Sequence, residues 1–359
     1  MELKFADRMD LFKEGIFTTL ANIKKERIKE NKPVFDLSVG TPDFLPEPHV
    51  VNALVEAAKI PENFKYAITD TDEMLEAVQN WYKRRYDVEL EKDEIMSLYG
   101  SQEGISRVAL TIANPGDTVL VPNPGYPVFE LGPLLNDAHI EYYELREENN
   151  YLIDFDSIPE EVAKKAKAII VSYPANPICR LAPVSFYKEL IAWANKYNVI
   201  VLHDNAYSEL VYDGKRGISF LSVEGAKEIG IEFNSLSKTY NLTGARISFA
   251  VGNKEIISQF KKLRSQIDYG IFLPVQKAAV AALNGPQDSV ERNRAEYERR
   301  RNTLRDGLDS IGWKGLVSEG TMFAWAPLPK GYTNSNDFVL ELIDKAGVFC
   351  VPGSVFGSL

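Results

Sequence analysis

Between residues 95 and 250 the chain alternates apolar, strand-like runs with helical ones, each about 25–35 residues from the next. This rhythm constrains the fold more than any other feature. Ala168-Ile169-Ile170-Val171-Ser172-Tyr173 and Val199-Ile200-Val201-Leu202 show no in–out alternation, so both faces of these strands must be covered. Helices on both sides of a mainly parallel sheet meet that demand, and the helices between the strands supply the crossovers that parallel pairing requires. The expectation is an α/β fold. In such sheets ligands gather at the carboxyl ends of the strands.

The residues just past those ends are the ones suited to chemistry. Tyr99-Gly100-Ser101-Gln102 follows an apolar segment and opens a helix, whose free N–H groups can receive an anion. Pro124-Gly125-Tyr126-Pro127 sets an aromatic ring on a rigid turn, where it can cover a flat ligand. Pro174-Ala175-Asn176-Pro177 fixes an amide donor at another strand's exit. Asp204 follows a run of apolar residues, so its carboxylate lies near the core and needs a partner that its own strand lacks. A protonated ring nitrogen of a ligand, a local arginine or a backbone amide would serve. After the strand Ile229–Phe233 comes Asn234–Arg246, in which Lys238 stands among Ser235, Ser237, Thr239, Thr243, Gly244 and Arg246. Hydroxyls, glycine and arginine suit a phosphate, and a lysine beside one can bond an aldehyde cofactor. Upstream, Gly40 follows the strand Phe35–Val39 and lets the backbone come close to a ligand. Tyr66 lies in a loop before the helix expected over 72–85.

Beyond Arg246 the pattern reads as a strand at 247–252, helices at 254–264 and 274–283, and a long charged helix at 288–311 leading to a second domain. Gly320–Pro327 reads as a strand, 336–346 as a helix and 348–351 as a strand. Glutamates interleave with the arginines of 292–305, which marks a solvated helix face. With that and a net charge of −10, neither a nucleic acid nor an anionic membrane is an expected partner. No apolar run is long enough to span a bilayer, and the N-terminal stretch with Asp7, Asp10 and Glu14 does not read as a signal peptide. Cys179 and Cys350 are the only cysteines, which suits a reducing, cytoplasmic setting without disulfides. His49, His139 and His203 match no metal-ligand spacing, so no metal is expected.

Pro124-Gly125-Tyr126-Pro127, Asn176-Pro177, Asp204-x-x-Tyr207, Ser235-x-Ser237-Lys238 with Arg246 eight residues later, and Pro352-Gly353-Ser354-Val355-Phe356-Gly357 form one ordered set. With it the sequence resembles the pyridoxal-phosphate-dependent aminotransferases of classes I and II, of fold type I. The resemblance runs from Val39-Gly40-Thr41-Pro42 to the end and is greatest to the branch containing aspartate and LL-diaminopimelate aminotransferases. It implies a large domain over 46–287, with a mainly parallel seven-stranded sheet flanked by helices. A smaller α+β domain would come from 1–45 and 288–359, the latter cut short.

By the same resemblance Lys238 would bond the aldehyde of pyridoxal 5′-phosphate, and Asp204 would keep the pyridine nitrogen protonated. Tyr207 and Asn176 would hydrogen-bond the ring oxygen, and Tyr126 would stack on the ring. Ser101, Gln102, Ser235, Ser237 and Arg246 would surround the phosphate. Tyr66 would reach the phosphate of a neighbouring subunit, which implies a homodimer with shared sites. Gly40 and Asn176 would lie near the substrate carboxylate. The implied reaction is ping-pong transamination between an amino acid and a 2-oxo acid, with a carbon–sulfur β-lyase or a non-catalytic relative as alternatives.

Two departures carry expectations of their own. The family follows Asn-Pro with Thr-Gly, where this chain has Ile178-Cys179, so the loop is expected to take a different shape, with Cys179 a packing residue. The family's carboxylate-binding arginine lies in a strand past the Pro-Gly-Ser-x-Phe-Gly motif, and a further C-terminal segment is expected to carry it.

Overall fold

The computed structural model describes residues 1, 3–12 and 16–359. Nine strands are present among them: β1 (Phe35–Asp36), β2 (Ile95–Leu98), β3 (Thr118–Asn123), β4 (His139–Glu144), β5 (Ala166–Ser172), β6 (Ile200–Asp204), β7 (Gly230–Ser235), β8 (Ser248–Gly252) and β9 (Val348–Phe349). Seven of them form one sheet in the order β2-β8-β7-β6-β5-β3-β4. β3 to β7 pair in parallel, and β8 runs antiparallel to both β7 and β2. The expected mainly parallel, seven-stranded sheet is therefore present.

Alternate residues of the central strands enter two separate cores. On β5, Ile169 and Val171 face one core and Ile170 the other; on β8, Phe249 and Val251 part from Ala250 in the same way. Such strands must be apolar at every position, which is why they lack alternation in sequence. β4 was not anticipated. His139-Ile140-Glu141-Tyr142-Tyr143-Glu144 pairs with β3 alone, and only Tyr143 is buried. An edge strand half in water carries charge and hides from a search for apolar runs.

The helix ends follow local chemistry. Thr71 caps the helix Asp72–Tyr86 by accepting from the Met74 N–H, and Asp87 ends it in a left-handed conformation. Asn334 caps the helix Ser335–Ala346 in the same way, and Gly347, at φ 69°, ends it.

A second, two-stranded sheet joins distant parts of the chain. β1 pairs in parallel with β9, Phe35 opposite Val348 and Asp36 opposite Phe349. Leu20 of the helix Ile16–Lys29 and Val339 and Ile343 of the helix Ser335–Ala346 pack with Phe349 behind it. The strand expected over 320–327 is absent. Two isolated bridges stand in its place, Val211 to Gly320 and Val317 to Trp325. Thr321 turns the chain there at φ 70°, and its hydroxyl accepts from the Phe323 N–H at 3.0 Å. Among the described residues no helix is long and apolar enough to cross a membrane, and no cluster of His, Cys, Asp and Glu is arranged to hold a metal.

Candidate active site

Parallel strands deliver their exits to one edge of the sheet. β6 ends at Asp204, β7 at Ser235, β5 leads to Asn176, β3 to Tyr126 and β2 to Gly100. Lys238 sits on the short helix Leu236–Thr239, which the Ser235 hydroxyl caps by accepting from the Ser237 N–H. The Lys238 Nζ donates to the Gly40 carbonyl at 2.6 Å. That bond brings the upstream glycine to the lysine across 198 residues. Burial, with the Arg246 charge adding to it, lowers the Lys238 ammonium to about 8. A substantial share of this lysine is therefore the nucleophilic free amine at mildly alkaline pH.

Asp204 is 5% exposed, and its Oδ1 has no hydrogen-bond partner. Burial raises its carboxyl to about 6, against the pull of His203 and the Ala206 N–H. Of the three partners left open by the sequence, no arginine bonds to it among the described residues, and the Ala206 N–H serves only in part. An orphaned buried carboxylate oxygen is costly unless a ligand meets it. Tyr126 lies within the fields of both Asp204 and Arg246, and burial foremost raises its phenol. Its ring meets Phe129 edge-on at 5.8 Å. Tyr207 is buried, and burial followed by the Asp204 charge pushes its phenol well up, so it stays a donor.

Gly100 and the Arg246 guanidinium meet at the start of the next helix. Gly100 precedes the helix Ser101–Ile112 at φ 92°, and a Cβ there would lie 2.1 Å from Arg246 Nη2. Only glycine permits both the turn and the approach of the guanidinium. The N–H groups of Ser101 and Gln102 occupy the helix's first turn, where no intrahelical acceptor exists. Arg246 is itself left-handed at φ 50°, and its Nη1 donates to the Thr243 carbonyl at 3.0 Å.

Asn176 is half-buried in a turn closed by the Cys179 N–H donating to the Ala175 carbonyl at 2.7 Å. Cys179 takes φ 63°, a left-handed conformation that glycine adopts freely, at a cost of about 1–2 kcal/mol. The Glu319 and Gly320 N–H groups hold it there by donating to the Cys179 carbonyl. Burial pushes its thiol up to about 12, so it packs and does not react. Tyr66 is not gathered with the others. It is 79% exposed, and its ring lies 5.1 Å from that of Tyr269.

Phe323 is the site residue that sequence reasoning missed. A Cβ on Gly40 would lie 2.5 Å from its ring, and the same ring meets Tyr207 at 5.6 Å. It therefore stands between the Gly40 loop and Tyr207. The one signal was an aromatic among small residues in Gly320-Thr321-Met322-Phe323, which the strand reading absorbed.

A sheet edge that gathers a lysine whose ammonium is lowered to about 8, an orphaned carboxylate oxygen and an arginine beside a helix start suits an aldehyde cofactor with a basic ring and a phosphate. Pyridoxal phosphate fits that donor set. Residues 32–358 match the family described as aminotransferase class I and II. The LL-diaminopimelate aminotransferase of Aquifex aeolicus (strain VF5) is 44% identical over 356 residues, covering 99% of this chain and 92% of that protein. The enzyme of the same name from Dehalococcoides mccartyi (strain ATCC BAA-2266 / KCTC 15142 / 195) is 40% identical over 358 residues, with the same coverage. Substrate-bound BacF from Bacillus subtilis superposes with a TM-score of 0.94 at 34% identity, covering all of this chain and 91% of that one. The chain belongs to the class I and II aminotransferases and catalyses pyridoxal-phosphate-dependent transamination.

Proposed function

We propose that this aminotransferase moves an amino group between LL-diaminopimelate and a 2-oxo acid. The observation that carries the substrate is the 44% identity, over 99% of the chain, to a protein named for that reaction. Bound pyridoxal phosphate supplies an electron sink for the bond broken at the substrate Cα. Lys238 Nζ, half neutral near pH 8, would take the proton from the substrate Cα and hold it beside the reacting carbon. The ionised Asp204 would favour a protonated ring nitrogen, the Tyr207 phenol and the Asn176 amide would be the hydrogen-bond donors to the ring, and Tyr126 would cover it. Ser101, Gln102, Ser235, Ser237 and Arg246 would hold the phosphate. Gly40 and Asn176 flank the substrate carboxylate. The amino group is held on the enzyme between the two oxo acids, so the kinetics are ping-pong.

Residues 1–45 and 288–359 form the small domain in this reading, and 46–287 the large one. The functional unit is a homodimer. Phe64, Tyr66, Ile68, Tyr269 and Phe272 are 65%, 79%, 66%, 46% and 41% exposed, and two ring pairs join them. Such an apolar face calls for cover, and a second copy also carries Tyr66 to the other site's phosphate. Mixing impaired Tyr66→Ala with Lys238→Ala chains should raise activity above that of either alone, because the hybrid dimer holds one intact site. Absence of any recovery after subunit exchange would remove the shared site. The two free cysteines suit a reducing compartment, and we place the enzyme in the cytoplasm.

The substrate is tested by a donor screen on the holoenzyme with 2-oxoglutarate as acceptor. LL-diaminopimelate should exceed aspartate, lysine and aromatic amino acids in kcat/KM by about 100-fold. A higher value for any of those donors would reject the assignment.

A further inference from the structure

Behind the carboxylate of β6 lies a polar cluster sealed from solvent. His203 and Glu232 are both 0% exposed, and they stand directly opposite each other on β6 and β7. Successive side chains on a strand point to opposite faces. His203 therefore turns away from the cofactor edge, toward Tyr187 and Phe220, while its neighbour Asp204 turns toward it. The Glu232 carboxylate accepts from four groups. These are the His203 Nδ1 at 3.0 Å, the Tyr82 hydroxyl at 2.9 Å, the Ser219 hydroxyl at 3.0 Å and the Phe220 N–H at 2.9 Å. The Tyr187 hydroxyl lies 3.2 Å from His203 Nε2.

A carboxylate buried this deeply needs a positive partner. Among the described residues no lysine or arginine bonds to Glu232, and His203 is the basic group within reach. The other titratable groups around the pair are Tyr82 and Tyr86 from the helix Asp72–Tyr86, Tyr187 from the helix Val184–Tyr197, and Tyr173 beyond β5. None of them carries a positive charge. Val171, opposite His203 on β5, has nothing to titrate.

We propose that His203 is held as the imidazolium, donating Nδ1–H to Glu232 and Nε2–H to Tyr187, and that this buried charge keeps Asp204 ionised from the other face of the sheet. His203 is then a positioning residue: it touches neither cofactor nor substrate and acts through Asp204. The inference rests on the reading of Asp204 as the cofactor's ring partner. The field at Asp204 has the matching signs. Burial raises its carboxyl most, His203 pulls it down and Glu232 pushes it up. Without the imidazolium, two carboxylates would face each other through the sheet with no charge between them.

Two measurements test this. With three histidines in the chain, imidazole nitrogen NMR resolves each one, and His203→Asn assigns the buried signal. It should show an imidazolium at pH 7.5; a neutral tautomer would overturn the proposal. Second, the affinity of cofactor-free protein for pyridoxal phosphate is followed against pH. Affinity should fall as Asp204 takes up a proton on the acid side, and in His203→Asn that midpoint should rise by about one pH unit. The cofactor's own phosphate titrates alike in both proteins and cancels in the comparison. An unmoved midpoint with a lowered Tm would reduce His203 to a packing role. Tyr187→Phe keeps the histidine and removes only its Nε2 acceptor, so it covers the case in which His203→Asn does not fold. Its midpoint should move the same way by less, and no movement there rejects the idea too. If wild-type protein binds no cofactor at any pH, the reading of the site falls together with the inference.

Discussion

Lys238→Ala protein is expected to lose transamination by about four orders of magnitude, the upper range for removing a positioned acid–base group. It also loses its covalent hold on the cofactor, so borohydride should leave the chain at its unmodified mass while wild type gains the reduced adduct on Lys238. The same side chain sets a pH signature. Its ammonium is lowered to about 8 by burial and the neighbouring Arg246, so the free amine increases as pH rises through that value. Capture of pyridoxal phosphate by cofactor-free protein should accelerate from pH 7 to 9 and then level off. A rate indifferent to pH over that range would mean that Lys238 is not the group that attacks, and full activity in Lys238→Ala would reject the whole mechanism.

Asp204→Ala should keep measurable cofactor, through the phosphate cradle and Lys238, yet turn over about 100- to 1,000-fold more slowly, as expected for loss of one fixed charge at the reacting group. Unchanged turnover would refute the electrostatic assignment. Asp204 also has a stability signature with a definite sign. Its carboxyl is raised from 3.8 to about 6 in the folded protein, so folding penalises the ionised form. That penalty is fully present above about pH 6 and disappears below the unfolded value of 3.8. Cofactor-free Asp204→Asn should therefore be more stable than wild type at pH 8, by an amount on the order of 3 kcal/mol at most. The two should melt alike near pH 3.5. Bound cofactor reverses the comparison, because the wild-type carboxylate then has its partner. A mutant less stable at pH 8 in the absence of cofactor would show that the carboxylate is already satisfied by the protein.

Most of this site could be read in the chain because its chemistry is local. Asp204 follows an apolar run that forces it inward, and Lys238 follows closely on Ser235, the serine that caps its own helix turn. Each stands at a strand exit, and parallel pairing brings such exits together without any further signal. What could not be read depends on contacts distant in sequence. Phe323 reaches Gly40 and Tyr207 only because Thr321 reverses the chain, and nothing in Gly320–Pro327 distinguishes that turn from a strand. β4 escaped because an edge strand has no need to be apolar. The pairing of Tyr66 with Tyr269 joins two loops about 200 residues apart, neither with a periodic pattern. Cys179 is the converse case. The missing glycine was plain in the sequence, but the left-handed turn at Cys179 is held by the Glu319 and Gly320 N–H groups, far downstream.

The pairing of β1 with β9 bears on how the protein is made. Phe35 cannot meet Val348 until residue 348 has left the ribosome, roughly 15 to 60 s after Phe35 itself is added at ordinary synthesis rates. The seven-stranded sheet spans residues 95–252 and has no such wait. A nascent chain can thus assemble Asp204, Lys238 and the phosphate cradle while the segment leading to Gly40 is still unanchored. Cofactor that arrives early would find the base of its site finished and the Gly40 side open. β9, which emerges later than the sheet, would then secure that side.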